Sequence, residues 1–165
     1  MIALETRYGF AFDVRPATHH DEAALAAFFA EVSDEDRRFR FLSAVRKLSD
    51  AQLHDIADFS HHRHESFLAF EPDSGEMIAA ATLATDAEGK TGEVAISIIP
   101  AFKGKGIGWT LLDHVAQEAR HWGMTRLQSI ESRDNRAAIS LEREMGFTAR
   151  AVEGDPALVL LERAF

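Results

Sequence analysis

The sequence contains no cysteine among its 165 residues. That excludes structural disulfides, cysteine-based zinc sites and thiol nucleophiles together, and it suits a reducing compartment. No apolar run approaches the ~20 residues needed to cross a bilayer, and residues 1–10 lack a basic region followed by a long apolar stretch. A cytoplasmic protein without a membrane partner is expected. Positive charge is also short: 18 Lys and Arg stand against 27 Asp and Glu, for a net charge of −9. Broad nucleic-acid binding, which neutralises phosphates with cations, is not expected, whereas cationic partners suit such a field. Hydrophobic residues at 46% and charged residues at 27% give an ordinary globular balance rather than the composition of a disordered chain. A chain of this length fits one domain, residues 1–165, around one contiguous core.

Hydrophobic periodicity sets the order of elements. Tyr8, Phe10, Phe12 and Val14 alternate with small or polar residues until Pro16, which reads as a first strand. From Asp21 the spacing turns helical, with Leu25, Phe28, Phe29 and Val32 on one stripe. Ser33 and Ser49 then offer caps for two further helices, so residues 20–59 read as mostly helical. Strands at 66–71 and 77–85 flank turn chemistry at Pro72, Asp73, Ser74 and Gly75, and a fourth strand, 93–99, ends at Pro100. Ile107, Leu111, Leu112, Val115, Ala119 and Trp122 repeat at helical spacing up to Gly123. A fifth strand at 127–130, a helix at 134–145 and a strand pair at 147–152 and 158–161 close the chain. Strand–helix alternation in the second half together with hairpins in the first predicts an α/β (α+β) architecture with a mixed sheet.

The run Pro100-Ala-Phe-Lys-Gly-Lys-Gly-Ile-Gly108 lies between the fourth strand and the long helix. Glycines let backbone approach a ligand, and the first amides of a helix have no intrahelical acceptor, so this turn suits a phosphate, with Lys103 and Lys105 adding charge. It is neither the Walker pattern nor Gly-x-Gly-x-x-Gly, which weakens nucleoside triphosphate and dinucleotide readings. The bland alternative is a turn that uses glycine for geometry alone.

The same run resembles the coenzyme A pyrophosphate loop of the GNAT acetyltransferases, written Arg or Gln, two residues, Gly, any residue, Gly or Ala, with Lys103, Gly106 and Gly108 in those positions. Lysine replaces the usual Arg or Gln. A second match follows in order: Asn135-Arg-Ala-Ala-Ile-Ser-Leu-Glu-Arg-Glu-Met-Gly-Phe147 is similar to the GNAT helix that begins at Asn and ends Gly-Phe. Val14-Arg15-Pro16, Asp21, and the stretches 33–37 and 40–41 are similar to the Pat-type protein lysine acetyltransferases. The resemblance implies a GNAT fold, a mostly antiparallel sheet of six to seven strands flanked by helices and splayed at strands four and five. It implies acetyl-CoA as cosubstrate, no metal, and an amine acceptor such as a lysine on an acyl-CoA synthetase. The coenzyme contacts it implies are Ile98, Lys103, Gly104, Lys105, Gly106, Ile107, Gly108 and Asn135, although Asn135 also reads as a helix cap. The regulatory or synthetase-like domain that Pat enzymes often carry has no room in 165 residues, so regulation by one is not expected. Monomer and homodimer are both open.

Amine acetylation needs a base, because a lysine ammonium with pKa near ~10.4 cannot attack a thioester. Pat-type enzymes use a glutamate at the place that Glu93 occupies, roughly 20 Å from the loop at ~3.3 Å per residue, which suits an extended pantetheine arm. Glu93 acts there by a burial-raised pKa or through a water; otherwise it is a charged strand-end residue. Backbone near Ile98 pairs with the pantetheine amides, and neighbouring N–H groups polarise the thioester carbonyl. Many GNAT enzymes protonate the leaving thiolate with a tyrosine where this chain has Glu142, and Tyr8 is its one tyrosine. Ser140 or water are then candidate acids. His61, His62 and His64 have the wrong spacing for zinc and read as a solvated loop, with a substrate-lining role for His64 left open. Trp109 and Trp122 read as core, and Arg37, Arg38 and Arg40 as exposed helix pairs with Asp34, Glu35 and Asp36. Beside the protein lysine acetyltransferase stand three rivals: a small-molecule amine or amino-acid-derivative N-acetyltransferase, a non-catalytic acetyl-CoA-binding module, and a generic phosphate-binding scaffold.

Overall fold

The computed structural model describes residues 1–165. β1 (Ile2–Glu5) and β2 (Ala11–Pro16) form an antiparallel hairpin at one edge of the sheet. In β2, Phe12 and Val14 are buried and their neighbours are not, which is the predicted alternation. Tyr8 does not begin that strand; it lies in the turn that Gly9 N closes on Thr6 O at 2.9 Å. β1 is the eighth strand, one more than the sequence suggests. Four residues on an edge, three of them exposed, carry too little alternation to register.

The helical stretch resolves into α1 (Glu22–Glu31), α2 (Asp34–Phe41) and α3 (Asp50–Ala57). Their starts are set by the predicted caps. Ser33 Oγ accepts from Asp36 N at 3.1 Å, while Ser49 and Gln52 satisfy each other's backbone amides at 3.1 and 2.9 Å. Arg15 fixes where β2 hands over to α1, donating to both Asp21 carboxylate oxygens at 2.7 and 2.9 Å.

β3 (His64–Phe70), β4 (Met77–Thr85) and β5 (Thr91–Ile98) continue the antiparallel meander. Consecutive residues of β4, Ala79, Ala80 and Ala81, are all buried, so both faces of the sheet are covered there, and α1 packs on this strand. Small side chains let the layers approach closely. α4 (Ile107–His121), which also packs on β4, buries the stripe Ile107, Leu111, Leu112, Val115, Ala116 and Ala119 and carries the chain over to β6 (Arg126–Ser132). A crossover of that length returns the strand parallel, and β5–β6 is the one parallel pair. After α5 (Arg136–Glu144), β7 (Thr148–Val152) forms the far edge and β8 (Asp155–Ala164) inserts between β6 and β7. The sheet is mixed, mostly antiparallel and open. No helix is long and apolar enough to cross a membrane.

One register event positions everything that follows. β5 and β6 pair at Thr91–Arg126, Gly92–Leu127 and Glu93–Gln128, then stop, although both strands run on. Beyond Glu93 the strands diverge, which is the expected splay between the fourth and fifth predicted strands.

Candidate active site

The divergence of β5 from β6 opens a cleft of about 420 Å³. One wall is the edge of β5 at residues 94–98, the other is Ser129, Ile130 and Glu131 of β6 with α5, and α2 and the start of α4 close the ends. On its other side β5 is hydrogen-bonded to β4 throughout, so the cleft-facing edge is the free one.

At the upper end, Gly104 and Gly106 take φ of +78° and +86°. Such turns swing successive amides to one side. Lys103 N donates to Pro100 O and Thr110 N to Gly106 O, both at 3.2 Å, but no amide of residues 104–109 donates to a backbone carbonyl. These free donors open α4, where its dipole also favours an anion. Ile98, Lys103, Gly104, Gly106, Ile107 and Gly108 line the cleft, as does Asn135. Lys105 does not: its Nζ lies 5.5 Å from the Phe10 ring and 5.9 Å from the Phe102 ring, held by cation–π attraction on the far side of the turn. Lys103 is tied to Asp36 of α2 by an ion pair.

Glu93 is exposed and lies at the point where pairing with β6 ends. Arg40 of α2 comes within electrostatic reach of it. Burial draws the Arg40 guanidinium below the usual arginine range, while first Glu93 and then Glu131 oppose that shift. Glu131 accepts from Ser129 Oγ at 2.6 Å and from Asn135 Nδ2 at 3.3 Å. Asn135 also caps α5, its Oδ1 accepting from Ala138 N at 3.3 Å, so the cap and the cleft use the same side chain. Glu142 of α5 is buried against this group, and burial together with the facing Glu131 pushes its carboxyl up to about 9.

A strand-to-helix turn of free amides beside a broken parallel pair is a specific arrangement, and comparison with known proteins agrees on its kind. The profile of the acetyltransferase (GNAT) family matches residues 22–147. The chain belongs to the GNAT family. It is similar to the GNAT domain of S. lividans PAT, at 27% identity and a TM-score of 0.90 over 99% of this chain and 96% of that one. An acetyltransferase of Pseudomonas aeruginosa is 27% identical over 149 residues, 89% of this chain and 80% of the relative. The yncA protein of Salmonella typhimurium, solved with its cofactor acetyl-CoA, shares the fold at 22% identity and a TM-score of 0.69 over 93% of each chain. The chain is therefore an acetyltransferase, in a family that takes its acetyl group from acetyl-CoA.

Several side chains of this GNAT domain take places that the sequence pattern does not predict. Arg37 makes the expected helix pair with Asp34 but is buried rather than exposed, and its guanidinium also donates to Phe29 O at 2.9 Å, Val45 O at 3.0 Å and Val32 O, capping the end of α1 and binding the loop after α2. Arg40 lines the cleft instead of a solvated face. Both share a helical stripe with Phe41, whose ring meets Phe29 at 5.6 Å, and that stripe is the signal available in the sequence. Trp109 belongs to the cleft mouth beside Arg7 rather than to the core, whereas Trp122 packs against the core as expected. His64 lies outside the cleft, with Nδ1 2.8 Å from Asp58 O, and Ser140 is exposed and outside it too. The rings of His61 and His62 stack at 3.8 Å.

Proposed function

We propose that acetyl-CoA lies in the cleft with its diphosphate on the amides of residues 104–109, its pantetheine arm along the free edge of β5, and its thioester beside Glu93, and that the acceptor is a protein lysine. The observation that carries this reading is the coincidence of two unsatisfied backbone surfaces, six amides at a helix start and a strand edge leading away from them. Unpaired backbone groups in a cleft call for a partner, and a chain with an anion at one end and amides along its length supplies both kinds. From Glu93 to Ile98 the edge spans about 17 Å at ~3.3 Å per residue, matched to an extended arm.

Glu93 then takes the amine proton. Its exposure favours relay through a water. Free N–H groups of β5 stabilise the charge that develops on the thioester oxygen, and transfer is direct because the chain has no cysteine to carry the acyl group. Likeness to the GNAT domain of S. lividans PAT supports the lysine acceptor, as does a net charge of −9, which draws an ammonium group toward the carboxylates of Glu93 and Glu131.

Calorimetry with coenzyme A, ADP and sulfate tests the seat: coenzyme A binds most tightly, and equal affinity for all three would return the cleft to a generic phosphate site. Free-thiol release with acetyl-CoA, a panel of small amines and acyl-CoA synthetase peptides tests the acceptor. Turnover confined to small amines would overturn the lysine assignment.

A further inference from the structure

Two glutamates face each other where β6 meets α5, and the fold treats them unequally. Glu131 receives the two donors named above, Ser129 Oγ and Asn135 Nδ2. Glu142 is 4% exposed, and its Oε1 has no hydrogen-bond partner. Donors stabilise an ionised carboxylate, and an ionised neighbour opposes ionisation of a second. A buried carboxyl with one oxygen left without a partner escapes the cost of a stranded charge by keeping its proton. The pair is therefore unequal, and Glu142 is its carboxylic acid. The value of about 9 for Glu142, set by burial first and by Glu131 second with Ser129 pulling partly back, agrees with that geometry.

The acid is placed where a proton is needed. Glu142 lines the same cleft as the free β5 edge and the amide turn, and the adjacent Leu141 packs toward Gly108 at the start of α4. Glu131 on β6 is the charged group that acts on it directly, and the cleft's other charged groups are Glu93 on β5, Asp36 and Arg40 on α2, Lys103 in the amide turn and Arg7 beside Trp109. Of these, Arg40 keeps its proton throughout, and Glu93 stands on the side where the amine is deprotonated. A buried acid on this cleft whose Oε1 has no structural bond to make is left for chemistry.

We propose that Glu142 donates the proton that the departing sulfur of acetyl-CoA takes up, while Ser129 and Asn135 bind Glu131 and leave Glu142 Oε1 free for that step. This rests on the acetyl-CoA reading above. The amine nitrogen bonds the acetyl carbon, the electron pair of the C–S bond leaves with sulfur, and sulfur takes the Glu142 proton to give the free thiol. The nitrogen's protons pass to Glu93 and its water; one returns through cleft water to the Glu142 carboxylate, and one is released for each ammonium consumed. No further reactant is needed.

Glu142→Gln keeps the shape and the neutrality of the buried group but has no acidic proton. Its acetyl-CoA affinity, by calorimetry, stays within about twofold, while kcat falls on the order of 10²-fold and the decline of kcat above pH ~9 disappears. Unchanged kcat, or a loss with the alkaline decline intact, overturns the proposal. Wild-type protein supplies a test that needs no variant. Infrared difference spectra between pH ~8 and ~10 show a protonated carboxyl band disappearing with a midpoint near that of Glu142, and absence of such a band overturns the proposal as well. Glu65, held up to about 7, has already given up its proton in that window. If wild-type protein releases no thiol with any amine, the acetyl-transfer reading fails, which is distinguishable from a failure at Glu142.

Discussion

Replacing Gly106 by alanine probes the amide turn at its most constrained point. With φ at +86°, an L side chain costs about 1–2 kcal/mol in backbone strain. The added methyl would also meet Tyr8 Cδ2 at 3.0 Å and Thr6 Cβ at 3.2 Å. Tyr8 is 65% exposed and gives way, but Thr6 is 4% exposed and its hydroxyl accepts from the amides of Tyr8 and Phe10 at 3.3 and 3.2 Å. The hairpin tip and the amide turn must then move apart. Gly104 supplies the comparison, since its φ is +78° but its Cβ would meet open space. Gly104→Ala should lose about 1–2 kcal/mol of stability and Gly106→Ala about 2–3 kcal/mol. Affinity should fall further at Gly106. Two amides turned away from a phosphate forfeit about 1.5–3 kcal/mol each, which weakens the acetyl-CoA Kd on the order of 10²–10⁴-fold. Urea unfolding reads the first quantity and calorimetry on the folded variant the second. A folded Gly106→Ala protein that binds acetyl-CoA like the wild type would refute the reasoning, because the diphosphate could not then rest on these amides.

Glu93→Gln should lower kcat by roughly 10²–10⁴-fold and leave the acetyl-CoA Kd unchanged; thiol-release kinetics check it, and a change confined to Kd counts against Glu93 as base. Asp36→Asn frees Lys103 from its ion pair and removes a negative charge from the cleft. Acetyl-CoA should bind about two- to fivefold more tightly, with the gain shrinking as salt is added. Glu65 of β3 is raised to about 7, by burial first and by Glu118 second, from about 4.5 when unfolded. Between those values the folded chain holds a proton that the unfolded chain has lost, so stability declines as pH climbs through this window and stays lower above it. Urea unfolding should show Glu65→Gln to be more stable than wild type by about 1–2 kcal/mol at pH ~8, and no gain at pH ~4.

What the sequence conveys and what it hides follow from the range of each interaction. The caps at Ser33, Ser49 and Asn135, the stripe of α4 and the glycine turn are local, and each lies where the spacing predicts. Glu93 and six of the predicted coenzyme contacts in and before the turn also converge on one cleft, because strand, turn and α4 are contiguous. Lys105 fails that test, since the direction of a lysine in a turn is decided by Phe10 and Phe102, distant in sequence or out of register. Arg40, Glu131 and Glu142 sit on α2, β6 and α5, and nothing short of the assembled sheet says that they meet. For Glu131 a partial signal exists. Leu127, Ser129 and Glu131 alternate on one face of β6, and burial of the first two at 0% and 2% marks that face as inward.

The backbone and side-chain halves of the cleft have a common origin. Had β5 and β6 stayed paired beyond Glu93 and Gln128, residues 94–98 would have spent their edge on a neighbouring strand, and no surface would remain for an amide-bearing ligand. The same divergence makes room between the strands for Ser129, Glu131 and Glu142 to line a cavity, although Ser129 and Glu142 stay nearly sealed from water. That difference in wetness separates the chemistry along the cleft. Glu93, at the point of divergence, is open to water and suited to shedding a proton into it. Glu142, deeper against α5, is dry enough to retain one. A single loss of strand register thus frees the edge and sets the proposed base and the proposed acid along it.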